Sequence, residues 1–158
     1  MKLAAVMPVY NSGYSVNSVL SQLGPVFWKS IEILIVLDNG STDDSLEKIS
    51  RFTVQEPDYA EKVVVHQNRV NLGYGASVSI GIAKMIELGM THILVIHSDD
   101  QTDWKGTVES LIACDDTREF VMASRFHKDA DLSGYSVRRR FGNKFFVLLI
   151  GRPNLAKP

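Results

Sequence analysis

A short acidic segment in the second half of the chain is the part of the sequence best equipped for chemistry. Within seven residues, directly after an apolar run, it contains His97, Asp99, Asp100 and Asp103. Carboxylates this close repel one another unless a cation or solvent compensates their charge. Oxygen ligands with one imidazole suit Mg²⁺ or Mn²⁺, which takes further ligands from water and substrate phosphates. The segment predicts a divalent-metal site; the alternative is a solvated turn in which Asp103 caps a helix starting near Trp104.

A second candidate follows the most apolar run of the chain. Asp38 ends that run and is followed by Asn39, Gly40 and Ser41. Asn-Gly is a turn dipeptide, so one interpretation is a strand-to-helix turn in which Ser41 or Thr42 caps the helix. The other interpretation is that Asp38 accepts hydrogen bonds from the base or ribose of a nucleotide.

The elements that must position these loops alternate along the chain. Short runs rich in Val and Ile predict strands, and segments with apolar residues three and four apart predict the helices between them. Nearly continuous apolar strands are typical of a parallel sheet covered on both faces. The sequence therefore predicts an α/β three-layer sandwich with a mostly parallel, twisted central sheet. The predicted strands are 3–7, 31–37, 62–66, 92–97 and 120–123, and the predicted helices are 16–23, 44–52, 76–88, 107–114 and 138–150.

Glycine and serine positions predict where some helices begin and end. Ser15 is a plausible N-cap of the first helix, and Gly24 and Gly89 are plausible stops of the first and third helices. Ligands of open α/β sheets bind at the carboxyl ends of the strands, so the loops after the strands hold the candidate residues. The turn after the first strand has no glycine before Gly13, which argues against a dinucleotide-binding G-x-G-x-x-G. The segment 75–79 also lacks the last glycine of a hydrolase nucleophile elbow.

Length, cysteine content and charge limit the remaining classes. The chain has 158 residues, a formal net charge of −1 and one cysteine. This predicts a single domain without a disulfide framework, and a cytoplasmic location. Residues 1–117 carry a net charge of −7, whereas residues 118–158 carry +6. The basic part, residues 118–158, is expected to bind phosphate or anionic lipid. Nucleic acid is not the expected partner, because the chain as a whole does not have the excess of basic residues that is typical of nucleic-acid-binding proteins.

Four loops, in their order along the chain, resemble those of family 2 glycosyltransferases of the GT-A fold. The branch that includes dolichol-phosphate mannosyltransferase and the bacterial polyprenyl-phosphate glycosyltransferases is the most similar. The family's P-V-Y-N is matched by residues 8–11, its D-D-G-S-x-D by 38–43, its N-x-G-x-G-x-A region by 71–76, with serine following where alanine is more usual, and its metal motif D-x-D-x-Q by 97–101. A later S-R and a basic helix start are matched by Ser124, Arg125, Arg138 and Arg139. The resemblance spans residues 3 to about 150.

The resemblance implies a donor site for a UDP- or GDP-linked sugar in residues 1–123 and a partial acceptor-side segment in 124–158. Asp99, with His97, would hold Mg²⁺ or Mn²⁺, and Asp99 and Arg125 would be catalytic by neutralising the leaving diphosphate. The implied acceptor or phosphate contacts are Gln101, Arg125, Arg138 and Arg139. The implied donor-nucleotide residues are Pro8, Tyr10, Asn11, Asp38, Asn39, Asn71, Gly73, Ser98 and Asp99.

The function implied is metal-dependent, inverting transfer of a sugar to an acceptor, with a polyprenyl phosphate at the inner face of the membrane as the implied acceptor. Two residues depart from the family pattern: His97 replaces the first metal-motif acid, and Asn39 replaces the second acid of the D-D pair. The chain ends near the point where the family continues into its acceptor side, so no catalytic base is assigned. A truncated, non-catalytic nucleotide-sugar-binding domain is the alternative, and either form could pair with itself as a homo-oligomer. A nucleotidyltransferase and a nucleic-acid binder are weaker rivals.

Overall fold

The computed structural model describes residues 1–102 together with Trp104 and Val108. These residues belong to a compact unit that runs from Met1 to Val121. The predicted strand 120–123 and helix 138–150 lie outside the described residues, as does the predicted helix 107–114 apart from Val108. Asp103, Arg125, Arg138 and Arg139 also lie outside them, and the division of the chain at residue 123 stays a prediction.

The described part is built on a parallel four-stranded sheet. The strands are β1 (Leu3–Val9), β2 (Ile31–Asp38), β3 (Val63–Gln67) and β4 (His92–Val95). Their order is β3-β2-β1-β4, and every pair is parallel. Val9 is opposite Asp38, and Asp38 is opposite Gln67, so these carboxyl ends reach the same edge. The four predicted strands that fall within the described residues are confirmed to within two residues at each end, with β4 ending at Val95 and not at residue 97.

Helices cover both faces of this sheet. They are α1 (Val16–Gln22), α2 (Gly24–Ser30), α3 (Ser45–Gln55), α4 (Pro57–Ala60) and α5 (Tyr74–Glu87). Alternate residues of a strand point to opposite faces. Ala5 and Met7 accordingly pack in one core with residues of α1, α2 and α3. Ala4 and Val6 pack in a second core with Met85 of α5. The predicted three-layer α/β sandwich is confirmed.

Helix α5 packs against the sheet through a glycine, Gly81, which leaves no room for a side chain at the contact. A Cβ atom on Gly81 would meet the side chain of Val6 and would lie 2.7 Å from Leu37 Cδ1. Both neighbours are fully buried. The backbone of α5 therefore rests directly on β1 and β2, and this contact fixes where the first turn of α5 stands at the edge of the sheet.

The helix ends correct two details of the sequence analysis. Helix α3 begins at Ser45 with Asp44 at its N-cap, so the prediction that Ser41 or Thr42 caps it is wrong. Ser41 is engaged elsewhere, because its N–H donates to the Asp38 carboxylate and its Oγ accepts from the N–H of Asn11. Ser15 does stand at the N-cap of α1, but its hydroxyl makes no capping bond.

The two predicted glycine stops are confirmed by their backbone. Gly24 and Gly89 have φ of 68° and 71°, the left-handed conformation that glycine adopts without strain. Helix α2 starts directly at Gly24, so that stop separates two helices. Within the described residues, none of the helices is both long enough and apolar enough to cross a membrane.

Candidate functional site

Backbone hydrogen bonds continue beyond the strands and bring four loops together at the carboxyl edge of the sheet. The N–H of Asn39 donates to Val9 O at 2.8 Å, and the N–H of Asn68 donates to Asp38 O at 2.8 Å. On the other side of β1, the N–H of Ile96 donates to Val6 O at 2.9 Å. The loops after β1, β2, β3 and β4 therefore form one surface.

The loop after β1 is bound side by side to the loop after β2. The N–H of Asn11 donates to Ser41 Oγ at 3.0 Å, and Asn11 Oδ1 accepts from the N–H of Thr42 at 2.8 Å. Asn11 has φ of 47°, a conformation that asparagine tolerates better than most residues. Asn11, expected from the resemblance to contact the nucleotide, uses its carbonyl oxygen to hold these loops together.

Asp43 makes further hydrogen bonds between the loop after β1 and the loop after β2. Its carboxylate accepts hydrogen bonds from the N–H of Gly13 at 2.9 Å and from the N–H of Ser45 at 3.0 Å, as well as from the Ser45 hydroxyl. Burial opposes ionisation, but these hydrogen bonds together outweigh it and lower the pKa of Asp43 below its ordinary value. The ionised carboxylate is therefore part of the loop structure at neutral pH.

Asp38 is a fully buried carboxylate with unused acceptor capacity. It ends β2, is 0% exposed, and accepts from the N–H of Ser41 at 3.1 Å. A carboxylate has about four acceptor positions. Among the residues that the structure describes, the N–H of Ser41 is the donor recorded for it. Tyr10, directly after the buried end of β1, is 47% exposed at the same edge.

Buried serine hydroxyls join the loop after β4 to the loop after β1. Ser98 Oγ donates to Pro8 O at 3.1 Å and lies 2.9 Å from Ser12 Oγ, while Ser15 Oγ donates to the carbonyl oxygen of Ser98. Ser98 is 7% exposed. Its hydroxyl is directed into the protein, at the residue that precedes Asp99. That Ser98 contacts the nucleotide stays a prediction.

The two neighbouring carboxylates after Ser98 have different surroundings. Asp100 accepts hydrogen bonds from Ser18 Oγ at 2.9 Å and from Gln22 Nε2, so it is directed toward α1. Asp99 is half-buried, and its Oδ1 accepts a 3.3 Å bond from the N–H of Gln101. Asp99 is thus the carboxylate of this pair that is left for a ligand.

An aromatic ring stands beside Asp99. Tyr74, at the start of α5, stacks on the imidazole of His97 with ring centroids 5.4 Å apart and an interplanar angle of 6°. Tyr74 Oη lies 3.4 Å from His97 Nε2. Burial, and then the charge of Asp99, raise the pKa of the Tyr74 phenol above its ordinary value. Sequence reasoning missed Tyr74, because nothing in its local pattern links it to a histidine 23 positions away.

The metal site expected from the acidic segment is reduced to two residues in the described part. Among these residues, no three His, Cys, Asp or Glu side chains come together as a metal-binding group. Asp99 and His97 still offer one carboxylate and one imidazole, a set that suits Mg²⁺ or Mn²⁺ when phosphate oxygens and waters supply the other ligands. The residues present therefore fit an ion that is held jointly with a phosphorylated ligand.

The loop after β3 is organised by amide side chains. Asn39 Nδ2 donates to Asn71 Oδ1 at 2.7 Å, and Asn71 Oδ1 also accepts from the N–H of Gly73 at 2.8 Å. Asn39 Oδ1 accepts from Asn68 Nδ2 at 3.1 Å and from the N–H of Leu72 at 2.9 Å. Gly73, with φ of 86°, then stands at the N-cap of α5.

A cavity of about 390 Å³ opens between the loops after β2 and β3. The residues that line it are mostly polar and include one cationic side chain, Arg69. The lining residues are Gly40, Ser41, Thr42, Gln67, Asn68 and Arg69. The loop after the third strand, with Asn68 and Arg69, was among the candidate loops, but Gln67, Asn68 and Arg69 were not predicted as site residues, because the register that carries β3 to the Asp38 edge is a property of the sheet.

The family model for glycosyl transferase family 2 matches residues 4–156. The chain belongs to this family. Its GT-A fold is also seen in solved structures of low sequence identity. One is TarS of S. aureus in complex with UDP-GlcNAc, with a TM-score of 0.54 and 19% identity over 71% of this chain and 30% of that one. Another is the mannosyltransferase PcManGT of Pyrobaculum calidifontis in complex with GDP-Man and Mn²⁺, with a TM-score of 0.58 and 14% identity over 70% of this chain and 31% of that one.

A curated relative of this family 2 glycosyltransferase is the hyaluronan synthase of Streptococcus pyogenes. The two are 36% identical over 77 residues, which are 46% of this chain and 17% of the synthase. The chain therefore spans less than one third of the length of each of these three proteins.

The family motifs predicted from the sequence lie together in the structure. Residues from the P-V-Y-N, D-N-G-S, N-L-G and H-S-D segments all occupy the loops at one edge of the sheet. Within them, Asp38 and Asp99 each accept from one nearby backbone N–H among the described residues, whereas Asn11, Asn39 and Ser98 hydrogen-bond to neighbouring loops.

Proposed function

We propose that this family 2 glycosyltransferase transfers a sugar from a nucleoside-diphosphate sugar to an acceptor, with inversion and with a divalent metal ion. The observation that carries the proposal is the pair of carboxylates Asp38 and Asp99. They follow β2 and β4, which flank β1. The strands β2 and β4 are two strand spacings apart, roughly 10 Å, so their loops can contact different parts of one extended ligand.

Each carboxylate suits a different part of such a donor. Asp38 is buried and has free acceptor positions, so it is suited to N–H or O–H groups of a base or ribose. Asp99, with His97, would hold Mg²⁺ or Mn²⁺. When bound, that ion supplies charge neutralisation to the departing diphosphate. The role of Tyr74 in this account is to fix the orientation of the His97 imidazole.

Two proteins of the same fold, solved with their ligands, support a nucleotide sugar as the donor. The solved structure of TarS contains bound UDP-GlcNAc, and that of PcManGT contains bound GDP-Man and Mn²⁺. UDP- and GDP-linked sugars are accordingly the donors proposed for this chain, with Mg²⁺ or Mn²⁺ as the ion.

The acceptor proposed is a polyprenyl phosphate. Its oxygen is already anionic, so it attacks with little help from a general base. Gln101, Arg125, Arg138 and Arg139 are the residues proposed to hold the acceptor phosphate, and Arg125 also to neutralise the leaving group. The basic segment 138–144 would then lie at an anionic membrane surface, which makes the protein peripheral to the cytoplasmic face.

The alternative is a domain that binds nucleotide sugars without transferring them. The observation that favours it is His97 in place of a metal-binding acid, since a neutral imidazole neutralises less of the ion's charge than a carboxylate does.

Turnover separates the two. We expect release of UDP or GDP when the protein is incubated with a UDP- or GDP-linked sugar, Mn²⁺ and a short polyprenyl phosphate. Asp99→Ala is expected to reduce that release by about 100-fold or more, the scale of losing a group that stabilises the transition state. Metal-dependent binding without any release would support the binding domain and contradict transfer.

A further inference from the structure

His97 and Asp99 alternate along the chain with two residues that are anchored to the sheet. Ile96 is 0% exposed, and its N–H donates to a carbonyl oxygen of β1 at 2.9 Å. Ser98 is buried, and its Oγ donates to another carbonyl oxygen of β1 at 3.1 Å. The backbone is therefore held on both sides of His97, whose own side chain is exposed, and Asp99 follows half-buried.

One face of the His97 imidazole is covered by the ring of Tyr74. The two rings are nearly parallel, with centroids 5.4 Å apart, and Tyr74 Oη lies 3.4 Å from His97 Nε2. Burial, and then the charge of Asp99, raise the pKa of the Tyr74 phenol, so Tyr74 is near Asp99 as well as His97. A stacked ring is restricted in its rotation about the side-chain bonds. The imidazole is therefore held in one orientation, two residues from the Asp99 carboxylate.

Residue 97 changes the donor atoms that the site offers to an ion. The family's D-x-D-x-Q motif has a carboxylate at this position, whereas this chain has an imidazole. Mg²⁺ is a hard ion that is bound by oxygen ligands. Imidazole nitrogen is a ligand of the first-row transition metals, to which Mn²⁺ belongs. Exchange of the carboxylate for an imidazole therefore weakens the site for Mg²⁺ more than for Mn²⁺.

From these contacts we infer that His97 determines which ion the donor site takes: its imidazole ligates the ion and favours Mn²⁺ over Mg²⁺, and Tyr74 is the positioning residue that holds the ring. The inference rests on the proposed function, because it deepens the metal-dependent part of it. The proposed function requires a divalent ion at Asp99 but does not depend on which ion it is, so the two can be tested apart.

Competition between the two ions measures the preference. Free Mn²⁺ has an electron paramagnetic resonance signal that is lost on binding, so Mg²⁺ can be titrated against it in the full chain with saturating UDP or GDP. His97→Asp restores the carboxylate of the family motif. In this variant the ratio of Mn²⁺ affinity to Mg²⁺ affinity is expected to fall by about tenfold or more, the scale of an altered metal environment. An unchanged ratio overturns the inference.

His97→Asn separates the nitrogen ligand from the change of charge. An asparagine offers a neutral oxygen in place of the neutral imidazole. The ratio of the two affinities is expected to fall in this variant as well, with a loss of Mn²⁺ affinity. Residue 97 is exposed, so neither substitution disturbs the core. A ratio that falls in His97→Asp alone assigns the preference to charge and overturns the inference.

Pulsed electron paramagnetic resonance tests the contact itself. A nitrogen bound to Mn²⁺ modulates the electron spin echo, and labelling histidine with the heavier nitrogen isotope changes that modulation. With Mn²⁺ and UDP or GDP, we expect histidine modulation in the wild-type protein and its loss in His97→Asp and His97→Asn. The chain has four histidines, and the two variants show which one is bound. Absence of histidine modulation from the wild-type protein overturns the inference.

Tyr74→Phe and Tyr74→Leu form a matched pair for the stack. Phenylalanine keeps an aromatic ring against the imidazole, and leucine removes it. Tyr74 is 52% exposed, so neither substitution opens a cavity in the core. Mn²⁺ affinity is expected to be kept in Tyr74→Phe and to fall by about threefold or more in Tyr74→Leu, the scale of one aromatic pair. Equal Mn²⁺ affinity in the two variants overturns the positioning role of Tyr74.

The inference and the proposed function fail separately. Metal-dependent binding of UDP or GDP with the same ion preference in wild type and in both variants of His97 supports the donor site and overturns the inference. If neither nucleotide binds, the proposed function is contradicted, and the echo experiment with Mn²⁺ alone decides the inference. Histidine modulation that both variants lose then supports it, and absence of that modulation overturns it.

Discussion

Neighbouring carboxylates at the sheet edge differ in what they are free to do. Asp43 and Asp100 accept hydrogen bonds from adjacent loops and helices, whereas among the described residues Asp38 and Asp99 each accept from one backbone N–H close in the chain. Residue type alone does not separate these two groups, because all four residues are aspartates. Their hydrogen-bond partners separate them: Asp43 accepts from Gly13, 30 positions away, and Asp100 accepts from Ser18, 82 positions away.

Asp43 makes a prediction about pH. Its pKa is lowered in the folded protein, so its stabilisation is present above the pKa of the unfolded chain and is lost as the pH falls through the folded value. In Asp43→Asn the side chain cannot ionise, and one of the two carboxylate oxygens that accept hydrogen bonds becomes an NH₂ group, which cannot accept one. This substitution is expected to lower the free energy of unfolding by roughly 1 kcal/mol at pH 7, after allowance for solvent screening.

Urea denaturation of both proteins across a pH series checks this. The difference between wild type and Asp43→Asn should shrink as the pH falls below about 4, where the wild-type carboxyl also becomes neutral. A difference that stays constant down to about pH 2 would show that the charge of Asp43 has no part in holding the loops.

Several site residues are accessible to sequence reasoning because they belong to local patterns. Asp38 follows an apolar strand, and Asp99 lies in an acidic segment with His97, so both can be predicted. The pairing of Asn39 with Asn71 joins positions 32 apart, and the stacking of Tyr74 on His97 joins positions 23 apart. These contacts arise from the order of strands in the sheet, which a local pattern does not contain.

At the scale of elements, apolar pattern and glycine placement account for most of the architecture. Helix α2 was not predicted because Gly24 was interpreted only as the stop of the first helix; Pro25 follows it in the first turn of α2, where proline is well tolerated. Helix α4 has four residues, too few for an apolar period to be visible. Trp28 of α2 stacks on Tyr59 of α4 at 4.8 Å, so each of the missed helices is held by tertiary packing.

The contact of α5 with the sheet gives a prediction with a matched control. Gly81→Ala places a methyl group against Val6 and Leu37 and is expected to cost about 1–3 kcal/mol of stability. Gly75 is in the same helix, and a Cβ there meets nothing within 4 Å. Gly75→Ala is therefore expected to be neutral or to stabilise by roughly 0.5–1 kcal/mol.

Thermal and urea unfolding of the two variants measure this difference directly. The close approach of α5 is contradicted if Gly81→Ala and Gly75→Ala have the same stability. It is supported if the first variant alone is destabilised, since both substitutions add one methyl group to the same helix.

At the scale of the whole molecule, the charge of the chain is divided between its two parts. Residues 118–158 carry +6, and the consecutive residues Arg138, Arg139 and Arg140 contribute three of the positive charges. Each basic residue near an anionic membrane surface contributes about 1 kcal/mol. Reversing these three charges to Glu is expected to abolish sedimentation with vesicles that contain anionic lipid.

Vesicles made of zwitterionic lipid alone are the matched control, because they lack the surface potential that attracts the arginines. Equal sedimentation of the wild-type protein and the reversed variant with anionic vesicles would contradict the membrane part of the proposal. The donor-site proposal would be unaffected, because Asp38 and Asp99 lie in a different part of the chain.

The central claim is that the carboxyl edge of the sheet binds a nucleoside diphosphate together with a metal ion held by Asp99. Calorimetric titration with UDP and with GDP, each in Mn²⁺ and in EDTA, tests it most directly. The account predicts that one nucleotide binds in Mn²⁺, that binding weakens strongly in EDTA, and that Asp99→Ala abolishes the metal-dependent part. Asp100→Asn, in which the changed residue is directed toward α1, should bind as wild type does. Failure of both nucleotides to bind in Mn²⁺, or binding that Asp99→Ala leaves intact, would contradict it.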